Sequence, residues 1–138
     1  MNADSSKILG GYVQPGKNDA SRWLHLFNDA YSKKIGMVIY PGSLNLKLEK
    51  KFDWFTEKYA HFIIHFFKEE YVGECDILLL PCLLRTLENR KAYLWSTTTA
   101  AHEGLPIVEI ITDVKLREAY SLSDGDRIEV EIPELPQK

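Results

Sequence analysis

Residues 43–48, Ser-Leu-Asn-Leu-Lys-Leu, alternate polar and apolar side chains without a break. Only an extended strand gives that pattern two coherent faces, because successive side chains leave a strand on opposite sides. Leu44, Leu46 and Leu48 share one face, while Ser43, Asn45 and Lys47 share the other. Whatever the fold, a hydroxyl, an amide and an amine are thus carried side by side on one surface, and three leucines are turned away from it. Pro41-Gly42 immediately before this run reads as a tight turn at positions i+1 and i+2, entered from Met37-Val-Ile-Tyr40.

The remaining segments are short and mostly extended. Gly10 to Gly16 reads as a strand interrupted by flexible turns, followed by the polar loop Lys17-Asn-Asp-Ala-Ser21. Trp23, Leu24, Phe27, Ala30 and Tyr31 recur at helical spacing behind Asp19 or Ser21 as N-cap, which predicts a helix at about 21–34 closed by Gly36. Phe52, Phe55, Tyr59, Phe62, Ile63 and Phe66 fit a helical stripe, yet the segment is equally rich in strand-forming residues, and periodicity alone leaves both open. Ile77 to Leu84 reads as a buried strand broken or bulged at Pro81. Two further short strands fall at 92–95 and 107–111, a short helix at 114–120, a turn at 123–126 and an alternating strand at 127–132. Many short strands with two small helices predict a mainly β barrel with helical insertions. Residues 1–9 are expected to fray, 10–133 to form the domain, and 134–138 to be a tail.

At 138 residues, 45% hydrophobic and 27% charged, the chain suits one packed core with a solvated skin. A net charge of -3 gives no basic face for a nucleic acid, although Lys33-Lys34 and Lys50-Lys51 suit a small phosphate. No secretory h-region opens the sequence, and no run approaches the roughly 18 apolar residues needed to span a bilayer, so a cytoplasmic protein away from membranes is expected. Cys75 and Cys82 lie in or beside an apolar run without a second Cys/His pair, which favours buried thiols over a metal site or disulfide. His61 and His65 stand at the spacing of a helical metal pair but lack the accompanying glutamate, and His25 and His102 are isolated. No nucleophile elbow accompanies Ser96-Thr-Thr-Thr99. Trp23, Trp54 and Trp95 read as core or rim aromatics, any of which could also cover a flat ring.

Tyr40-Pro-Gly-Ser-Leu-Asn-Leu-Lys-Leu48, Val108-Glu-Ile-Ile111, Lys115-Leu-Arg-Glu118 and Leu122 to Ile128 together resemble, in order and spacing, the CTP-dependent riboflavin kinase family over about residues 10–132. The resemblance implies a six-stranded cradle-loop barrel and favours hairpin strands over a long helix at 57–73. It implies transfer of the γ-phosphoryl of CTP, or of another nucleoside triphosphate, to riboflavin, giving FMN. Such a reaction requires a hydroxyl in line with a phosphate and neutralised charge on the transferring oxygens. Mg²⁺ ligation falls by resemblance on Ser43 and Asn45, with Asn45 also the catalytic position. Nucleotide contacts fall on Gly16, Lys17 and Arg22 and on Lys115, Leu116, Arg117 and Glu118, and a flavin contact falls on Glu109. Taken without the resemblance, the same residues describe a Pro-Gly turn with a hydrogen-bonded Asn45, an amphipathic helical turn and a solvated strand glutamate.

Two places depart from the family pattern. The N-terminal loop keeps Gly16 but carries Lys-Asn-Asp-Ala-Ser-Arg where further glycines would let backbone N–H groups cradle a phosphate. Lys17 and Arg22 are left to act through their charge. The family's flavin-contacting threonine would fall on Ala101, and Thr99 takes that part if the loop 100–106 carries an insertion. These changes keep open a non-catalytic barrel that binds a flavin, a nucleotide or another small ligand.

Overall fold

The computed structural model describes residues 5–15, 32–40, 42–60, 62–66, 76–98 and 106–134. Seven strands follow in chain order: β1 (Ser5–Gln14), β2 (Leu44–Leu48), β3 (Ile64–Phe66), β4 (Ile77–Leu84), β5 (Arg90–Thr97), β6 (Ile107–Ile111) and β7 (Arg127–Glu134). Helix α1 (Glu57–Ala60) lies between β2 and β3, and helix α2 (Leu116–Ala119) between β6 and β7. All pairings are antiparallel. Strands β4, β5, β6, β2, β1 and β7 are neighbours in that order, and β7 returns to β4 through Leu83↔Glu131 and Leu84↔Val130. Six strands thereby close a barrel without an open edge, and β3 adds to the start of β4.

Period-two alternation sorts every barrel strand. Leu9 and Val13 of β1, Leu44, Leu46 and Leu48 of β2, Leu78, Leu80, Cys82 and Leu84 of β4, and Ile128, Val130 and Ile132 of β7 meet in one interior cluster. Burying each such side chain contributes about 1.5–3 kcal/mol, so this filling dominates what holds the barrel closed. A second cluster lies on the outside, where Ile77, Leu79, Trp95 and Ile111 are covered by Phe66 of β3 and Ile39. Strand β4 is buried on both faces over Ile77–Leu80, which explains its consecutive leucines 78–80.

Several expectations change. Strand β1 begins at Ser5, inside the stretch expected to fray, because residues 5–9 pair with β7. Gly10 and Gly11 lie within that strand, where a Cβ on Gly11 would come within 2.7 Å of the Leu46 side chain and 2.9 Å of the Lys47 carbonyl. Close approach, and not a turn, is what requires glycine there. Pro81 neither breaks nor bulges β4, which pairs Pro81↔Tyr93 in register. It sits between the end of the β3 register at Leu79 and the start of the β7 register at Leu83, where β4 has no second neighbour to miss an N–H. Of residues 57–73, those described form the single turn α1 and the strand β3, which pairs antiparallel with β4, and not one long helix; 61 and 67–73 lie outside the described residues. The helical residues 32–35 end as expected, with Gly36 at φ 71° and its N–H on the Ser32 carbonyl at 2.8 Å. The part of that helix predicted at 21–31 lies outside the described residues, as does Pro41.

Candidate active site

Strand register alone brings the chemistry-bearing residues together. Gln14 pairs with Asn45, Asn45 with Glu109, and Glu109 with Trp95, so four adjacent strands place these side chains in one row on the outer wall. Leu44, Leu46, Val108 and Ile110 point into the barrel, which forces Asn45 and Glu109 outward. Ser43, at the entry to β2, donates its hydroxyl hydrogen to Glu109 Oε1 at 2.9 Å. That bond leaves the serine lone pairs facing away from the carboxylate. No described residue hydrogen-bonds the half-buried Asn45 amide, so the turn-stabilising role open to it in the sequence is not realised.

The second group of expected residues caps the same end of the barrel. Leu116 of α2 is buried in the interior cluster, with Val114, Tyr120 and Leu122 packed against it. Its side chain therefore anchors the helix. Arg117 reaches back to the row, with Nη2 3.0 Å from the Gln14 carbonyl and 2.6 Å from Asp124 Oδ1. Lys115 and Glu118 form an exposed pair with each other at 3.7 Å. Gly16, Lys17, Arg22 and Thr99 lie outside the described residues.

Sequence reasoning missed the polar framework around this end. Arg90 donates Nε to the Tyr120 hydroxyl at 2.8 Å and Nη1 to Asp113 Oδ1 at 2.5 Å. Its guanidinium is held even more firmly protonated than usual, first by the Tyr120 hydrogen bond and then by the Asp113 charge. Thr112 is buried, donates to the Lys91 carbonyl at 2.7 Å, and accepts the Tyr40 N–H on its own carbonyl at 2.9 Å. The only hint in the sequence was position: Thr112-Asp113 follows β6, and Arg90 opens β5.

The other candidates have structural partners. His65 lies on β3 and pairs with Asp76 at 2.7 Å, and His61 is outside the described residues. Among the described residues, no three His, Cys, Asp or Glu side chains converge on a metal position. Cys82 is buried and unpaired, and burial pushes its thiol well above the ordinary range, so it is inert. Trp54 and Trp95 are both core residues. A cavity of about 240 Å³ opens elsewhere on the wall, lined by Pro81, Leu83, Tyr93 and Pro133 among others, and includes no motif residue. Among the described residues, no helix is long and apolar enough to cross a membrane.

Residues 13–132 match the CTP-dependent riboflavin kinase family profile, described as domain of unknown function DUF120. The chain belongs to this family. Matched residues run from the end of β1 through β7, so the row and its cap both lie inside the family domain. Riboflavin kinases from Thermofilum pendens and Pyrobaculum islandicum are each 29% identical, over 94% and 90% of this chain. The chain spans 61% and 59% of those two relatives, less than two thirds of their length. The riboflavin kinase of Staphylothermus marinus is also 29% identical, covering 88% of both chains.

Proposed function

We propose that the chain is a riboflavin kinase domain that moves the γ-phosphoryl of CTP to the ribityl 5′-hydroxyl of riboflavin, giving FMN and CDP. One observation carries the reading. The family's Ser-Leu-Asn motif is set by register against Glu109, with Ser43 bonded to that carboxylate at 2.9 Å and the Asn45 amide left for a ligand.

The donor set fits Mg²⁺, which takes few protein oxygens and completes its shell with water and phosphate. Ser43 Oγ and the Asn45 amide oxygen would hold it, and when bound it neutralises charge on the phosphate oxygens. Asn45 fixes the donor phosphates against the barrel wall. Glu109 accepts a hydrogen bond from the ribityl chain and orients the hydroxyl for in-line attack. Arg117, held to Asp124 and the Gln14 carbonyl through Nη2, offers its remaining donors to the triphosphate, with the backbone of Leu116 and the Lys115–Glu118 pair beside it. Gly16, Lys17, Arg22 and Thr99 belong to the same proposal on sequence grounds, the first three for the nucleotide and Thr99 for the flavin. Cytoplasmic location, away from membranes and nucleic acids, accords with soluble substrates of this kind.

Purified protein incubated with riboflavin, Mg²⁺ and CTP or ATP should yield FMN, separable by chromatography, and CDP when CTP is the donor. No FMN with any nucleoside triphosphate, at protein concentrations near that of the substrate, overturns the kinase reading. The loop that has exchanged glycines for Lys-Asn-Asp-Ala-Ser favours one alternative, a barrel that binds flavin or nucleotide without transfer. Quenching of riboflavin fluorescence without FMN formation would decide for it.

A further inference from the structure

Helix α2 is a single turn of four residues, and its N-cap Lys115 makes no side-chain capping bond. A turn this short is not stable by itself, since helix nucleation is unfavourable and only propagation repays it. Its position must come from its contacts. Leu116 fixes its depth in the barrel end, and Val114, Tyr120 and Leu122 pack against the core beside it only partly buried, apolar contacts that set no direction of their own.

The remaining constraint comes from outside the helix. Arg90 is the first residue of β5 and follows a turn in which Glu88 and Asn89 take left-handed backbone conformations, φ 60° and 52°. Its guanidinium spans α2: Nη1 holds Asp113, before the helix, and Nε holds Tyr120, the C-cap residue. The guanidinium carbon also stands 5.7 Å from the centroid of the Tyr120 ring. A planar fork that bonds both flanks of a one-turn helix fixes its rotation, and only arginine has donors disposed to do so. The same rotation decides where Arg117 points, and Arg117 is the link from α2 to Gln14 and the Asn45 row.

We propose that Arg90 is a positioning residue for the nucleotide side of the site: it clamps Asp113 and Tyr120 and thereby sets the rotation of α2 that aims Arg117 at the triphosphate. This rests on the nucleotide reading of α2 given above. Arg90 itself touches no substrate.

The test measures KM for CTP, KM for riboflavin and kcat, with Mg²⁺, in Arg90→Met, Tyr120→Phe, Arg117→Ala and the Arg90→Met/Arg117→Ala double variant. Arg90→Met should raise KM for CTP about tenfold, and Tyr120→Phe, which removes one hydroxyl and keeps the ring, about threefold. KM for riboflavin and kcat at saturating CTP should stay within twofold. Because Arg90 acts through Arg117, the double variant should be little worse than Arg117→Ala, a non-additivity that general loss of stability would not produce. If Arg117→Ala weakens CTP while Arg90→Met and Tyr120→Phe do not, the clamp is wrong and the nucleotide reading of α2 stands. Additive losses in the double variant also overturn the clamp. If Arg117→Ala leaves KM for CTP unchanged, the nucleotide reading of α2 fails and the clamp fails with it. Should Arg90→Met not fold, Tyr120→Phe with its own Arg117→Ala double variant gives the same decision.

Discussion

The two ends of this barrel are closed by different physics. Where β2 finishes, the chain fills the end with rings: Phe52 and Tyr59 lie 5.0 Å apart, Phe52 and Trp54 5.7 Å apart, all buried with the interior leucines. Where β2 begins, Leu116 of α2 enters the core with Val114, Tyr120 and Leu122 packed against it, and directional bonds among Arg90, Asp113, Tyr120, Arg117 and Asp124 complete the closure. Aromatic packing holds through large buried area and ring geometry, with few polar bonds to exchange with a ligand. Hydrogen bonds and ion pairs fix orientation and can be traded for those of a substrate at little net cost. The first end is built to hold the barrel and the second to present Ser43, Asn45 and Glu109.

The largest expected effect tests the ring-filled end. Trp54→Ala should destabilise the fold by about 3–5 kcal/mol, read from urea denaturation, because a buried indole leaves a cavity its neighbours only partly fill. Riboflavin affinity of the folded fraction should be kept. A loss below about 1 kcal/mol would mean that the rings are dispensable and the two ends are not so different.

At the other end the balance should reverse. Asn45→Ala should lower FMN formation at least hundredfold, equivalent to about 2.7 kcal/mol of transition-state stabilisation. Its urea midpoint should match the parent's, since the Asn45 side-chain amide bonds no described residue and its strand neighbours supply the packing. An unchanged kcat would separate the polar end from the chemistry altogether.

Thr112→Val sharpens the comparison within the polar end. It removes the hydroxyl that satisfies the Lys91 carbonyl at 2.7 Å, and should cost about 1–2 kcal/mol in thermal or urea unfolding. Equal stability in that variant would show that the closure there does not depend on directional bonds.

The smallest effect concerns the wall between the ends, where Glu49 accepts from Arg127 at 3.1 and 3.2 Å and from Tyr12 at 3.0 Å. The Arg127 hydrogen bond, then that from Tyr12, hold its carboxyl below the ordinary value of 4.5. A carboxylate depressed in the folded state contributes stability above its unfolded pKa, and that contribution is lost as pH falls through the folded value. The parent should therefore lose stability more steeply below pH 4.5 than Glu49→Gln, with the two converging in strong acid. Parallel curves would assign the pair no role in stability, the common outcome for exposed ion pairs.

Local chemistry made much of this legible in advance. The alternation from Ser43 to Leu48 specified a strand and its two faces, and burial of Leu44, Leu46 and Leu48 follows it residue by residue. Gly36 marked a helix end, alternation over 127–132 marked β7, and short apolar runs marked strands within β5 and at β6. Pattern failed where burial on both faces erased it, as in β4, and where a residue's reason lay in a partner strand. Gly11 is required by Leu46 and Lys47, and Pro81 is tolerated because β4 changes neighbours around it. For the site, motif order named Ser43, Asn45, Glu109 and Arg117, but Gln14, Arg90, Thr112, Asp113 and Tyr120 carry no local signature. The sequence by itself determined which faces are apolar and which residues can bind oxygen-rich ligands, because those properties belong to single residues and their nearest neighbours. Only the tertiary structure decided that Asn45 meets Glu109 and that Arg90 clamps α2. Register and barrel closure join residues dozens of positions apart, and no short-range pattern encodes that distance.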